Sequence, residues 1–175
     1  MKSVSLSLLP CVLALLLSAC SAPKTLPALM VERLNWMDEV AMAKQVRSLP
    51  ITDTVREAEL LRTMTQRGVA AGLKADRVQR FFTGQMVAAK VVQEEWLQQH
   101  PQGAASDVMV PDLNMTVRPA LDAIGQKMIA SLATPRTPAA SAAILVEAGQ
   151  RLARAGYSKA VTRPALEGLE AGLAP

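Results

Sequence analysis

Long helix-forming segments, separated by prolines and glycines, constrain the fold of this chain most strongly. The sequence is rich in Ala, Leu, Gln, Glu, Arg and Met, which favour helices, and it lacks an alternating strand pattern of useful length. It also lacks an internal repeat and a glycine-rich phosphate-binding loop. We therefore expect an all-α fold, a bundle of about six helices. The predicted helices cover approximately residues 27–48, 54–71, 75–99, a segment from 116 onward, 139–155 and 159–173.

Individual residues mark the predicted helix boundaries. Pro50 ends the first helix, because the residue before a proline is pushed out of helical geometry. Thr54 and Glu57 form a capping-box pattern at the start of the second helix, and Asp53 is a rival N-cap. Gly72 follows the second helix, in the position where a glycine commonly ends one. These signals divide the first hundred residues into three helices.

The amino-terminal residues predict export. Lys2 precedes a short apolar run that contains Pro10, which is typical of a secretory signal and short for a membrane span of about 20 residues. The sequence Leu-Ser-Ala-Cys at 17–20 has the form of a lipobox, in which the cysteine is acylated. Ordinary cleavage after Ala22 is the alternative, and either event exports the protein.

The lipobox sets the expected organisation of the chain. Residues 1–19 are a lipoprotein-type signal peptide, Cys20 is the new N-terminus, 20–26 form a short tether, and 27–175 form a single all-helical domain. Ser21 does not resemble an inner-membrane retention signal. We therefore expect a periplasmic protein that is anchored to the outer membrane by the lipidated cysteine and contacts the membrane only through that anchor.

The residue inventory argues against several kinds of chemistry. Cys11 leaves with the signal, so at most Cys20 remains, and neither a disulfide framework nor a thiolate metal site can form. His100, the one histidine, precedes Pro101 and is expected to be a cap or loop residue, which disfavours Ser–His catalysis and histidine zinc sites. The net charge of +4 falls to +3 without Lys2, and aromatic residues make up only 3%, so nucleic acid is not an expected partner.

Two cations lie on the apolar side of the first predicted helix. Arg33 and Lys44 are eleven residues apart, about three helical turns, so their side chains project from almost the same line. The apolar residues near that line are Leu26, Leu29, Met37 and Val40. Cations on a buried stripe must be paired, or each one destabilises the fold by several kcal/mol.

Two more arginines enter from neighbouring helices, Arg56 at the start of the second and Arg118 at the start of the fourth. The third helix presents an uncharged face, which comprises Phe82, Gln85, Ala89, Val92, Gln93 and Trp96. The inward faces are therefore expected to carry more positive than negative charge. Either long side chains reach solvent, or Asp53 and Glu57 pair with the arginines, or a dianionic small ligand binds between the helices. Arginine suits a carboxylate ligand, because its planar fork binds both oxygens.

The ordered set of these residues resembles the all-helical, AroQ-type chorismate mutases. The resemblance rests, in chain order, on Arg33, Lys44, Asp53, Arg56, Glu57, Ala89 and Gln93. The sequences ERL and LPI look most like the exported, gamma subclass of that family. The resemblance covers about residues 26–96 well and continues weakly through PDLNMTVRPALDAI, which contains Arg118. Beyond about Ser131 only helical character is shared.

The resemblance implies that chorismate is the substrate and that no cofactor and no metal take part. The conversion of chorismate to prephenate, a step of aromatic amino acid biosynthesis, is a pericyclic Claisen rearrangement and needs no nucleophile. By similarity, Arg33, Arg56 and Arg118 would bind the two carboxylates of the substrate. Lys44 and Gln93 would donate to its ether oxygen, and Lys44 would also contact a neighbouring carboxylate.

The resemblance also implies roles for the remaining site residues. Glu57 would accept a hydrogen bond from the ring hydroxyl, helped by backbone near Asp53. Ala89 departs from the family, because relatives often carry a hydroxyl residue there. The site would be built from residues 27–120, and the helices of 121–175 would complete the domain.

Two other classes of function stay open. One is a non-catalytic helical lipoprotein that scaffolds components of the cell envelope. The other is a mutase relative that binds a dicarboxylate without converting it. Oligomeric state is open too, with a homodimer as one of the alternatives.

Overall fold

The computed structural model of the protein describes residues 24–101 and 109–174. Within these ranges it contains helices and turns but no strand, which confirms the all-α prediction. The predicted signal peptide, Cys20 and both cleavage sites lie outside the described residues. The helices are α1 (Leu26–Asn35), α2 (Met37–Val46), α3 (Thr54–Ala70), α4 (Ala75–Gln99), α5 (Arg118–Ala133), α6 (Pro138–Arg154) and α7 (Lys159–Leu173), and a π-helical turn spans Leu113–Val117.

The first predicted helix is interrupted. Trp36 separates α1 from α2, and its backbone N–H donates to the carbonyl of Leu34 instead of continuing the helical ladder. Counted as one bent helix, α1 and α2 give the six helices that the sequence predicts. The end of α2 is a tight turn in which Ser48 adopts a left-handed φ of 53°. This turn stops α2 at Val46, shortly before the predicted end.

The start of α3 is fixed by a side-chain cap. The carboxylate of Asp53 accepts a hydrogen bond from the backbone N–H of Arg56 at 3.0 Å. The aspartate, the rival in the sequence interpretation, is therefore the N-cap residue rather than Thr54. At the other end, Gly72 has a φ of +84°, which an L side chain adopts only with strain. Both ends of α3 thus agree with the sequence signals to within about a residue.

Helix α4 is the centre of the bundle, since it packs against α1, α2, α3 and α7. Helix α1 in turn contacts α5 and α6. Phe81 and Phe82 of α4 are fully buried and meet edge to face, with ring centroids 5.0 Å apart. In the two described ranges, no helix combines the length and apolar character that crossing a bilayer would require.

The contact between α4 and α7 depends on two glycines. A Cβ atom added to Gly84 would lie 2.5 Å from the carbonyl oxygen of Pro164 and 2.8 Å from the Cα of Gly168. These neighbours are backbone atoms, which cannot rotate away. The two helices therefore approach so closely that neither glycine can be replaced without moving a backbone.

We expect Gly84→Ala to destabilise the protein by about 1–3 kcal/mol, because relieving the overlap must displace α7, and this outweighs the better helix propensity of alanine. The matched control is Gly149→Ala in α6, where the added Cβ would meet only Leu166 Cδ1 at 3.7 Å. That variant should be as stable as the wild type or more stable by up to about 1 kcal/mol. Denaturant unfolding of the two variants checks the prediction, and equal stabilities would show that α4 and α7 can separate freely.

Candidate active site

One cavity of about 290 Å³ lies between α1, α2, α3, α4, the π-helical turn and α5. Its volume suits a small molecule. The structure places all eight residues of the predicted site on its lining: Arg33, Lys44, Asp53, Arg56, Glu57, Ala89, Gln93 and Arg118. These residues are far apart in the chain, so the packing of five helices brings them together.

Arg33 is the most buried charged residue of the cavity, with 5% of its surface exposed. Burial lowers the pKa of its guanidinium to about 10, because the charged form loses hydration. One of its N–H groups donates to the backbone carbonyl of Gln85 at 3.4 Å, a long hydrogen bond. Among the residues that the structure describes, it has no ion-pair partner.

Lys44 is half-buried and lies on α2, after the bend at Trp36. Its ammonium donates to the backbone carbonyl of Ile51, in the segment that joins α2 to α3. Burial is the largest influence on its pKa and lowers it; Arg118 and Lys90 act in the same direction, while Asp53 and Glu57 oppose them. The ammonium therefore sits where a bound anion would favour its charged form.

The acids near the cavity already have partners. Glu57 Oε2 lies 3.1 Å from Lys90 Nζ, and Glu59 Oε2 lies 2.6 Å from a guanidinium nitrogen of Arg56. The carboxylate of Asp53 caps α3. The alternative in which Asp53 and Glu57 pair with the arginines is therefore wrong, because the helix cap and Lys90 engage them instead.

Gln93 extends from α4 toward α2. Its surface is 4% exposed, and its Nε2 donates to the carbonyl of Ala89 at 3.0 Å and contacts the sulfur of Met37 at 3.7 Å. The contact with the thioether is a weak hydrogen bond, because sulfur is a poor acceptor. One N–H of the amide can therefore donate a hydrogen bond to a better acceptor in the cavity.

Arg118 enters from the first turn of α5. The π-helical turn before it is held by Asp112, whose carboxylate accepts from the backbone N–H groups of Met115 at 2.8 Å and Asn114 at 2.7 Å. These two hydrogen bonds hold the pKa of the Asp112 carboxyl below its usual range. Arg118 itself donates to the side-chain oxygen of Asn114. The turn thus directs a half-buried arginine to the cavity wall.

The numbers of cations and carboxylates in the cavity are closer to equal than the sequence suggests. Within the described ranges the cavity is lined by five cations and four carboxylates. The cations are Arg33, Lys44, Arg56, Lys90 and Arg118, and the carboxylates are Asp53, Glu57, Glu59 and Asp122. Asp122 pairs with Arg67 on the outer side of α3 at 2.7 Å. After all ion pairs are formed, Arg33, Lys44 and Arg118 are left without an acid partner in the described part of the chain, so the cavity suits an anionic ligand.

Sequence reasoning missed three charged residues of the lining. Lys90 lies one residue after Ala89 and three before Gln93, so helical spacing was the signal that could have revealed it. Glu59 and Asp122 lie on α3 and α5, and their sequence neighbourhoods resemble ordinary solvated helix faces. His100 is the C-cap of α4 and stacks on Trp96, with ring centroids 4.2 Å apart.

Metal ligation finds no support in the described residues. Across 24–101 and 109–174, no group of three or more His, Cys, Asp or Glu side chains has the arrangement that could hold a metal ion. The groups that the cavity offers are hydrogen-bond donors, most of them charged. Such an arrangement can hold a polyanion in one conformation and stabilise negative charge that develops on an oxygen.

The known proteins that are similar to this chain in sequence or structure include chorismate mutases. Residues 24–94 match the family model of chorismate mutase type II. The secreted chorismate mutase of Yersinia pestis is 30% identical over 95 residues, which are 52% of this chain and 50% of that protein. The chain therefore spans about half the length of the curated relative it matches.

Solved structures resemble a larger part of the chain. The chorismate mutase of Burkholderia thailandensis superposes with a TM-score of 0.70 at 27% identity, covering 84% of this chain and 96% of that one. The Burkholderia phymatum enzyme gives 0.71 at 26% identity over 86% and 94% of the two chains. The secreted Yersinia pestis enzyme shares the fold at 20% identity, with a TM-score of 0.68 over 85% and 93%. The chain thus shares its all-α fold with solved chorismate mutases, and its residues 24–94 are similar to the type II chorismate mutase family.

Proposed function

We propose that this protein is an exported chorismate mutase that converts chorismate to prephenate. The observation that carries the proposal is the meeting of Arg33, Lys44 and Arg118, without acid partners in the described residues, at one cavity. Chorismate is a dianion, so it would supply the negative charge that these cations lack. The names of the relatives support the same reaction.

The reaction fits the groups that line the cavity. In the Claisen rearrangement one C–O bond breaks and one C–C bond forms within a single molecule, so no external nucleophile, oxidant or net proton transfer is needed. Partial negative charge develops on the ether oxygen as the C–O bond breaks. A preorganised ammonium and amide that donate to this oxygen stabilise the transition state more than the ground state. Lys44 and Gln93 are the proposed donors.

The arginines would fix the reacting conformation. Three arginines approach the cavity from different helices: Arg33, Arg56 and Arg118. Their guanidinium groups can therefore bind two carboxylates from several directions. The rearrangement requires a compact conformer in which the two ends of the molecule meet, and holding that conformer lowers the entropic part of the barrier. Glu57 is the proposed acceptor for the ring hydroxyl, next to backbone near Asp53. Ala89 offers no side-chain hydrogen bond.

An assay of chorismate consumption tests the proposal. The mature protein, made without the lipid by replacing Cys20 with Ala, is mixed with chorismate, and loss of chorismate and appearance of prephenate are followed by absorbance. Enzymatic turnover is expected. Saturable binding without turnover would instead indicate the dicarboxylate-binding alternative, and neither binding nor turnover would favour an envelope scaffold.

Export and lipidation are further parts of the proposal. The matched Yersinia pestis relative is named as secreted, and the lipobox at 17–20 supports acylation of Cys20. Mass spectrometry of the protein from intact cells should show a chain that begins with a lipid-modified Cys20. Cys20→Ala should be recovered in soluble form with its turnover of chorismate unchanged. An unmodified wild-type chain that begins at Pro23 would exclude the lipid anchor and leave export standing.

A further inference from the structure

Lys90 is a cavity residue to which the proposed reaction assigns no role. It lies on α4 between Ala89 and Gln93, and its side chain is 28% exposed. Its Nζ lies 3.1 Å from Glu57 Oε2 and donates a hydrogen bond to that oxygen. The pair crosses from α4 to α3, so it joins the two helices that carry Gln93 and Arg56.

The partner of Lys90 creates an electrostatic problem for an anionic ligand. Glu57 is 27% exposed and lines the same cavity as the cations. A carboxylate in this position repels a dicarboxylate substrate, and partial burial strengthens the repulsion, because the effective dielectric constant is lower than in water. Glu57, the proposed hydrogen-bond acceptor for the ring hydroxyl, would therefore also weaken the binding of chorismate.

The other charged groups do not remove this repulsion. Lys44 donates to the carbonyl of Ile51, and Arg56 pairs with Glu59. Arg118 is bonded to Asn114. Asp53, four residues before Glu57, adds negative charge of its own and caps α3. Lys90 is the cation in direct contact with the Glu57 carboxylate in the structure.

We propose that Lys90 is a positioning residue that holds the Glu57 carboxylate in place and offsets its negative charge. Glu57 can then accept a hydrogen bond from the ring hydroxyl without repelling the dianionic substrate. The inference rests on the proposed function. The repulsion acts on the bound substrate and on the transition state alike, because both are dianions. Loss of Lys90 should therefore raise KM and change kcat little.

The test compares kcat and KM for chorismate in five variants. Lys90→Met, which keeps the length of the side chain and removes its charge, should raise KM about tenfold or more with kcat within about threefold of the wild type. Lys90→Arg, which restores the charge, should recover most of the loss. In the double variant Lys90→Met with Glu57→Gln, KM should lie within about threefold of that of Glu57→Gln alone, because no uncompensated carboxylate remains. Lys127→Met on the exposed side of α5 controls for the change in net charge and should behave like the wild type.

The double variant separates this inference from direct binding of the substrate by Lys90. If Lys90 grips a substrate carboxylate itself, Lys90→Met will raise KM equally with Glu57 and with Gln at position 57, and the inference is wrong. An unchanged KM in Lys90→Met, or a loss confined to kcat, would also overturn it. The proposed function is judged separately, because its failure appears as an absence of turnover in the wild type before any variant is made.

Discussion

Lys44→Ala is expected to lower the turnover of chorismate about a thousandfold or more, since it removes a preorganised donor to the oxygen on which charge develops. The lysine is already held by the carbonyl of Ile51, so no ordering of the side chain is needed when substrate binds. Steady-state kinetics at saturating chorismate measure the effect. A variant that keeps nearly full activity would show that the donor to the ether oxygen is another residue.

The fold should survive this substitution. Burial lowers the pKa of Lys44, which means that the folded protein disfavours the charge at every pH below that pKa. Alanine removes this unfavourable term, while the lost hydrogen bond to Ile51 costs about 1 kcal/mol. The free energy of unfolding should therefore change by no more than about 1 kcal/mol. Lys127→Ala, which removes an exposed lysine outside the cavity, is the matched control for both activity and stability.

Gln93→Glu is expected to convert a flat pH profile into one that falls as the pH rises. An amide donates at every pH, whereas a carboxyl donates only when protonated. Because position 93 is 4% exposed, desolvation should raise the pKa of an introduced carboxyl, while Arg33 and Lys44 nearby act in the opposite direction. Activity should be retained in acid and should decrease about tenfold per pH unit above that pKa. Curves of kcat against pH for the two proteins check this.

The wild type should show a nearly constant kcat from about pH 5 to pH 8. The pKa of Arg33 is lowered only to about 10, so this guanidinium stays charged across the range. Burial lowers the pKa of Lys44, but a bound dianion favours its ammonium form. The proposed donors to the substrate thus keep their protons. A tenfold drop of the wild-type curve across neutral pH would contradict the role given to Gln93 and direct attention to Glu57.

Much of the architecture was predictable from local signals. Proline, glycine and capping residues are read from a few neighbouring positions, so the bounds of α3, α4 and α7 agree with expectation to within a residue or so. Two of the residues that line the cavity were also predictable, because Arg33 and Lys44 occupy apolar positions where a cation is costly. Such an exception to the apolar pattern is visible without knowledge of the tertiary structure.

Other features depend on contacts between distant segments. No proline or glycine adjoins Trp36, so the break between α1 and α2 had no local signal. Helix α1 packs mainly against α5 and α6, whereas α2 packs mainly against α4. The partner of Glu57 was not predictable either. Lys90 lies 33 residues away, and the choice between it and the adjacent Arg56 depends on side-chain conformations in the folded bundle. Lys90 also precedes Glu94 and Glu95, which made its stretch of α4 resemble a solvated face.

The close approach of α4 and α7 limits how this protein can be shortened or recombined. The segment that matches the family model ends at residue 94 and omits α7, although it contains seven of the eight predicted site residues. Phe81 packs on Gly172 of α7, so a gene fragment that stops at 94 would leave this aromatic ring and the adjacent backbone facing water. We therefore expect that the matched segment does not fold as an independent module. Any minimised or fused version of this protein must carry its carboxy-terminal helix.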